Sequence, residues 1–131
     1  MQFEKTELVI PAEYIDCYQH VHYSDYLKIF ENARSAFFER RGIHLGNWQE
    51  LAGIRAVTRH IEIEYIRELR EGDRIDINTA IMRVGETSFT FYHALVREGE
   101  TVATCKQVFV MTNSAREKMA LPYDFRAKLL A

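Results

Sequence analysis

Between Glu13 and Arg34 the chain reads "EYIDCYQHVHYSDYLKIFENAR", which sets two histidines, two aspartates, a cysteine and four tyrosines ahead of a helical pattern. Three chemistries compete for these side chains. The first is a metal site. His20 and His22 flank Val21, and on an extended segment such a pair shares one face and can ligate zinc, with Asp16 or Asp25 close by. A catalytic zinc site takes three protein ligands, however, and His44, His60 and His93 are scattered without a ligand spacing. The second is a nucleophilic Cys17, activated by a histidine and a helix dipole. No protease or redox signature surrounds it, and a free cysteine ordinarily acts as a small hydrophobe. The third is a carboxylate. A loop from Asp16 to Tyr23 can fold the Asp16 side chain back toward the start of the helix, where unpaired N–H groups and the positive dipole end face outward. Such donors stabilise the oxyanion of an ester or thioester under attack, while a carboxylate positions water or attacks directly. Against that stands the plain reading of Asp16 as a turn or cap residue.

The elements that must position these groups follow from periodicity. Phe3 to Ile10 alternates as a strand ending at Pro11. From Ser24 to Arg41 the apolar residues Tyr26, Ile29, Phe30, Ala33, Ala36 and Phe37 fall on one helical face, and Gly42 supplies a stop. Asp25 sits in the first turn, where a carboxylate suits the dipole. The period then changes to two. "IRAVTRHIEIEYIRE", "IDINTAIMRVG", "TSFTFYHALVRE" and "TVATCKQVFVMTN" read as four long strands, the last two joined as a hairpin. "LPYDFRAKLLA" suits a short terminal helix starting near Pro122. One long helix with a run of antiparallel strands gives an α+β fold, with the helix laid across one face of a curved sheet. A single helix covers only part of such a sheet, so a second subunit is the simplest further cover.

Composition sets the outer limits. The chain has 131 residues, 47% hydrophobic and 27% charged, which fits one globular domain, residues 1–131, with a core that needs no staples. A net charge of -2 gives no electrostatic case for a nucleic-acid partner. Cys17 and Cys105 form no disulfide framework and fit a reducing compartment. The charged start "MQFEKTELVIP" is not a signal peptide, and no apolar run reaches membrane-spanning length, so the expected setting is the cytoplasm with no membrane partner.

Taken together, "DCYQHVHYSDYLKIFENAR" resembles the motif of the hotdog-fold acyl-CoA thioesterases, specifically the 4-hydroxybenzoyl-CoA thioesterase-like branch. That branch carries an Asp, a short Gly-containing loop, a "GHVNN"- or "GVVYY"-like stretch, a helix Tyr, and an acidic residue before "AR". "IEIEYIRELREGDRI", "VGETSFTFYHALVREGETVATCKQVFVMTN" and "LPYDFRAKL" are similar to its later strands and terminal helix, so the likeness runs from about Phe3 to Leu129. The resemblance implies a long central helix wrapped by an antiparallel sheet of about five strands. It implies hydrolysis of acyl-CoA to free acid and CoA, with no cofactor and no metal. Asp16 takes the place of the catalytic Asp, as nucleophile or general base. Tyr23 takes that of the residue whose amide polarises the carbonyl, and Tyr26 that of the helix Tyr.

Further implications are an active site at the interface of a homodimer or homotetramer and CoA phosphates held by strand residues, with Arg59, Arg70, Arg83 and Lys106 as candidates. Thr58 and His60 could face the pocket, and His22 could line it. The sequence departs from the pattern at Gln19, where Gly is usual; at His22, where Asn, Tyr or Phe is common; at Leu69, where Pro or Ala is frequent; and at Tyr14, where a first Asp is common. Rival readings within the fold are a dehydratase or hydratase, a thioesterase for carrier-bound acyl chains, and a non-catalytic acyl-CoA binding module.

Overall fold

A computed structural model describes residues 1–131. Five strands form one antiparallel sheet: β1 Glu4–Val9, β2 Arg55–Tyr65, β3 Arg74–Val84, β4 Ser88–Arg97 and β5 Glu100–Thr112, in the spatial order β1-β3-β4-β5-β2. Helix α1 spans Tyr26–Arg40, α2 Leu45–Ala52 and α3 Tyr123–Leu129. The expected α+β arrangement of one long helix on a five-stranded sheet is therefore present.

Helix α1 forms where the three-then-four spacing places it and buries Tyr26, Ile29, Phe30, Ala33 and Phe37. It ends before Gly42, whose φ of +66° is the left-handed turn that a glycine takes without penalty. Its first turn, Tyr23–Asp25, is a tighter 3₁₀ turn and not regular α-helix. The sheet face beneath α1 is lined by Ile75, Ile77 and Thr79 of β3, by Phe89, Phe91, His93 and Leu95 of β4, and by Ala103, Cys105, Phe109 and Met111 of β5, all buried. Each fully buried apolar side chain of this size contributes roughly 1.5–3 kcal/mol. Phe37, Phe89, Phe91, Phe109 and Phe125 interlock edge-on and stacked, and Phe125 anchors α3 into the same cluster. Between β4 and β5 the chain reverses through Glu98 and Gly99, both with positive φ, the two-residue turn whose twist matches the flanking strands.

Sequence alternation assigns no element between Gly42 and Ile54, and the structure adds α2 there. Its apolar residues Leu45 and Trp48 pack onto the aromatic cluster, with Trp48 edge-on to Phe125 at 5.3 Å. A left-handed Gly53 caps it, where a Cβ would meet that of Ser114 at 2.8 Å. β2 carries a bulge between Thr58 and His60. Strict alternation would set those two side chains on one face. The extra residue, Arg59, instead leaves Thr58 opposite the buried Phe109 and His60 opposite Val108, on opposite faces of the sheet.

One polar group in the core has an unusual environment. His93 is fully buried, with Phe30 and Phe91 stacked on it at 5.2 and 5.8 Å. Its Nδ1 hydrogen-bonds Thr79 Oγ1 at 2.9 Å, and its Nε2 has no partner. Burial, and secondarily the Arg34 charge, push its pKa down from 6.5 to about 3. The unfolded chain therefore binds the extra proton between those values. The stability owed to the neutral ring is complete above pH 6.5 and lost as pH falls toward 3. Denaturant midpoints measured between pH 7 and pH 4 should decline less steeply for His93→Leu than for the wild type. Parallel declines would show a ring that titrates equally in both states.

Candidate active site

The Asp16 loop is a three-residue hairpin. The Asp16 N–H donates to His20 O at 3.0 Å, and the Gln19 N–H donates to Asp16 O at 3.1 Å. Ile15 and Val21 bridge just outside. This closure needs a left-handed residue at its third position, and Gln19 adopts φ 70°. The glycine expected there from the motif would take that shape freely, whereas Gln carries a Cβ against it. Two further bonds fix the hairpin to the body: Val21 N–H to Leu69 O at 2.7 Å and His22 N–H to Tyr14 O at 2.9 Å. Val21, Tyr14 and Leu69 are buried together with Tyr26.

Asp16 Oδ1 accepts the Tyr18 N–H at 2.9 Å, a local turn bond, and Oδ2 has no protein partner. The plain reading of Asp16 as a turn residue is thus met by one oxygen, and the other is left free. The helical turn begins directly after His22. That ring is its cap: Nδ1 meets the Ser24 N–H at 3.3 Å and Ser24 Oγ at 2.7 Å, and the ring packs on Tyr23 at 4.5 Å. Tyr23 is the first residue of the turn, so its N–H is one of the donors that helix geometry leaves without an intrahelical acceptor. Tyr23 is 68% exposed, and its backbone carbonyl accepts the Tyr65 hydroxyl at 3.0 Å.

These pieces border one open cleft of about 370 Å³, lined by Asp16, His20, Tyr23, Tyr26, Tyr65 and Glu68 among others. Tyr26 is 3% exposed and meets the Tyr65 ring edge-on at 4.9 Å. Burial first, then the neighbouring Tyr65, raises its phenol above the ordinary tyrosine range. It forms the floor of the cleft and holds no charge at neutral pH.

The remaining sequence candidates lie elsewhere. Thr58 Oγ1 accepts from Gln107 Nε2 at 3.0 Å, and Gln107 Oε1 accepts from Arg34 Nη1 at 2.8 Å. This relay runs beside a second pocket of about 490 Å³ whose walls include Arg34, Phe38, Ala56, Phe89 and Phe109. His60 lies on the opposite sheet face and pairs with Glu62 at 3.5 Å. Arg59 sits at the β2 bulge, and Arg83 lies at the far end of β3 from the cleft. Lys106 stands opposite Glu62 on that same outer face. Of the basic candidates, only Arg70 lies beside the cleft, bound to Glu68 at 2.6 Å. Arg67, which sequence reasoning passed over, lines the cleft itself. Its signal was its place two residues after the strand that ends in Tyr65.

Comparison with known proteins gives a consistent picture. The pattern of the Thioesterase-like superfamily matches residues 10–129. A 1,4-dihydroxy-2-naphthoyl-CoA thioesterase from Synechocystis superposes with a TM-score of 0.93 at 16% identity, over 98% of this chain and 96% of that one. A protein from Staphylococcus aureus, solved in complex with CoA, gives 0.88 at 22% identity, over 98% and 82%. The gentisyl-coenzyme A thioesterase BH1999 gives 0.84 at 18% identity, over 98% and 100%. The shared architecture is the hotdog fold.

The loop geometry carries its own test. Gln19→Gly should relieve the left-handed Cβ strain and raise unfolding free energy by about 0.5–1 kcal/mol, less than the full left-handed penalty because glycine also loosens the unfolded chain. Chemical denaturation reads this directly, and a destabilised variant would show that the Gln19 side chain holds the loop by contacts.

Proposed function

This chain belongs to the thioesterase-like superfamily and is a thioester hydrolase, and from that premise we propose that it cleaves acyl-CoA at the Asp16 cleft. The observation that carries the proposal is the pairing of a carboxylate oxygen without a partner and a free helix-start amide, Tyr23, on one cleft. The thioester carbonyl oxygen accepts the Tyr23 N–H, which strengthens as the oxygen gains negative charge in the tetrahedral intermediate. Asp16 Oδ2 attacks the carbonyl carbon or takes a proton from the water that does. Both routes place the same oxyanion on the same donor. Arg67 and Arg70, at the rim, suit the phosphates of the CoA moiety better than Arg59 or Arg83.

Two features support an assembly of two copies. β2 is an edge strand of 11 residues, long and largely exposed, with Val57, Ile61 and Tyr65 open to solvent. Such an edge pairs readily with another strand. A two-fold axis pairs β2 with its own copy in antiparallel sense. The Ala56 end of one copy then meets the Tyr65 end of the other. That brings the Phe38, Phe89 and Phe109 pocket of one subunit beside the Asp16 cleft of its partner, a place for the acyl group. Sedimentation of the wild type should give a dimer or a multiple of it, and a monomer fully active at nanomolar concentration would remove the shared-site account.

The activity test is thiol release from a panel of aliphatic and aromatic acyl-CoAs. The wild type should hydrolyse at least one of them. Asp16→Asn should lower kcat by about 10²–10⁴-fold, the range for a lost general base, with KM little changed. An unchanged mutant would remove Asp16 from the chemistry, and an inactive wild type would remove the acyl-CoA reading.

A further inference from the structure

The same cleft holds a second acid–base pair that the steps above leave unused. His20 closes the hairpin opposite Asp16, tied to it by the Asp16 N–H to His20 O bond of 3.0 Å, and both side chains line the cleft. Its Nε2 lies 3.7 Å from Glu68 Oε2. Glu68 is itself held, because Oε1 accepts from Arg70 Nη2 at 2.6 Å and from Arg70 Nε at 3.2 Å. Tyr18 stacks on the imidazole at 6.1 Å, with ring planes 19° apart. The ring thus has a carboxylate behind one nitrogen and an aromatic ring on one face, while Nδ1 has no protein partner. An exposed ion pair of this length contributes little to stability. As an orienting arrangement beside a reactive carboxylate it has a clear use.

Thioester hydrolysis needs a proton at a second place. An ordinary thiol titrates near 8.5, so a thiolate leaving at neutral pH goes more readily when an acid delivers a proton to sulfur. Building on the acyl-CoA reading above, we propose that His20, oriented by Glu68, is a further catalytic residue whose imidazolium donates that proton to the departing CoA sulfur. In the water route the carbon–oxygen bond forms and the carbon–sulfur bond breaks. One water proton goes to Asp16, and the imidazolium proton goes to sulfur. The second water proton leaves with the acid product and is lost to solvent. Asp16 then releases its proton and His20 takes one up, so the balance is one carboxylate, one thiol and one proton. The direct route ends in the same balance after water opens the anhydride on Asp16.

The test compares two thioesters of one acid, the CoA thioester and a nitrothiophenyl thioester whose thiolate leaves without protonation. His20→Asn should lower kcat/KM on the CoA thioester by about 10²-fold or more and on the nitrothiophenyl thioester by no more than about threefold. Glu68→Gln should show the same selectivity with a smaller loss, about tenfold on the CoA thioester, and reads the effect even if His20→Asn disturbs the loop. Equal fold-losses on both thioesters, or no loss on the CoA thioester, would overturn the proton-donor role while leaving the acyl-CoA reading in place. A wild type that cleaves the nitrothiophenyl thioester but no acyl-CoA would overturn both.

Discussion

The site depends on one backbone closure, the bond from the Asp16 N–H to His20 O that folds five residues into a hairpin. With Gln19 held left-handed, the loop is short enough that Asp16 and His20 face one another at its base. The bonds to Leu69 and Tyr14 then set its angle against the body, and His22 caps the helix that follows at once. Carboxylate, imidazole and helix-start amide therefore share one short, rigid stretch of chain. A catalytic constellation must hold its geometry to a fraction of an ångström, and backbone hydrogen bonds do that at lower entropic cost than long side chains.

The scaffold separates this polar rim from a dry interior. α1 is pinned by Phe30 and Phe37 on a sheet face of interlocked aromatics, so its N-terminus has little freedom to move. Two histidines show how environment divides their duties. His93, sealed between Phe30 and Phe91, is kept neutral and serves packing. His20 stands at the surface of the cleft beside a carboxylate, open to ligand and solvent. The buried ring costs stability in acid, whereas the other is placed where a bound ligand can meet it.

Much of the fold was legible in the sequence. The helix face of Tyr26, Ile29, Phe30, Ala33 and Phe37 and the alternation of the four later strands are strong periodic signals, and Pro122 marked the start of the last helix. Helix α2 was not legible, because its eight residues hold too few turns for a period to emerge and its apolar residues serve a distant cluster. Alternation also misplaces Thr58 relative to His60, since a bulge adds a residue that no local pattern announces. In the site, Asp16, Tyr23 and Tyr26 fall together on one cleft. His22, weighed for the pocket, is occupied as a helix cap. The meeting of His20 with Glu68 was invisible because it joins residues far apart in the chain through the docking of the hairpin beside Leu69.

The most direct measurement of the central claim is a crystal structure of Asp16→Asn with an intact acyl-CoA that the wild type hydrolyses. The thioester carbonyl oxygen should lie about 2.7–3.1 Å from the Tyr23 amide nitrogen, with the substituted carboxamide at position 16 facing the carbonyl carbon. A thioester seated away from the start of α1, with the Tyr23 amide turned to solvent, would contradict the account.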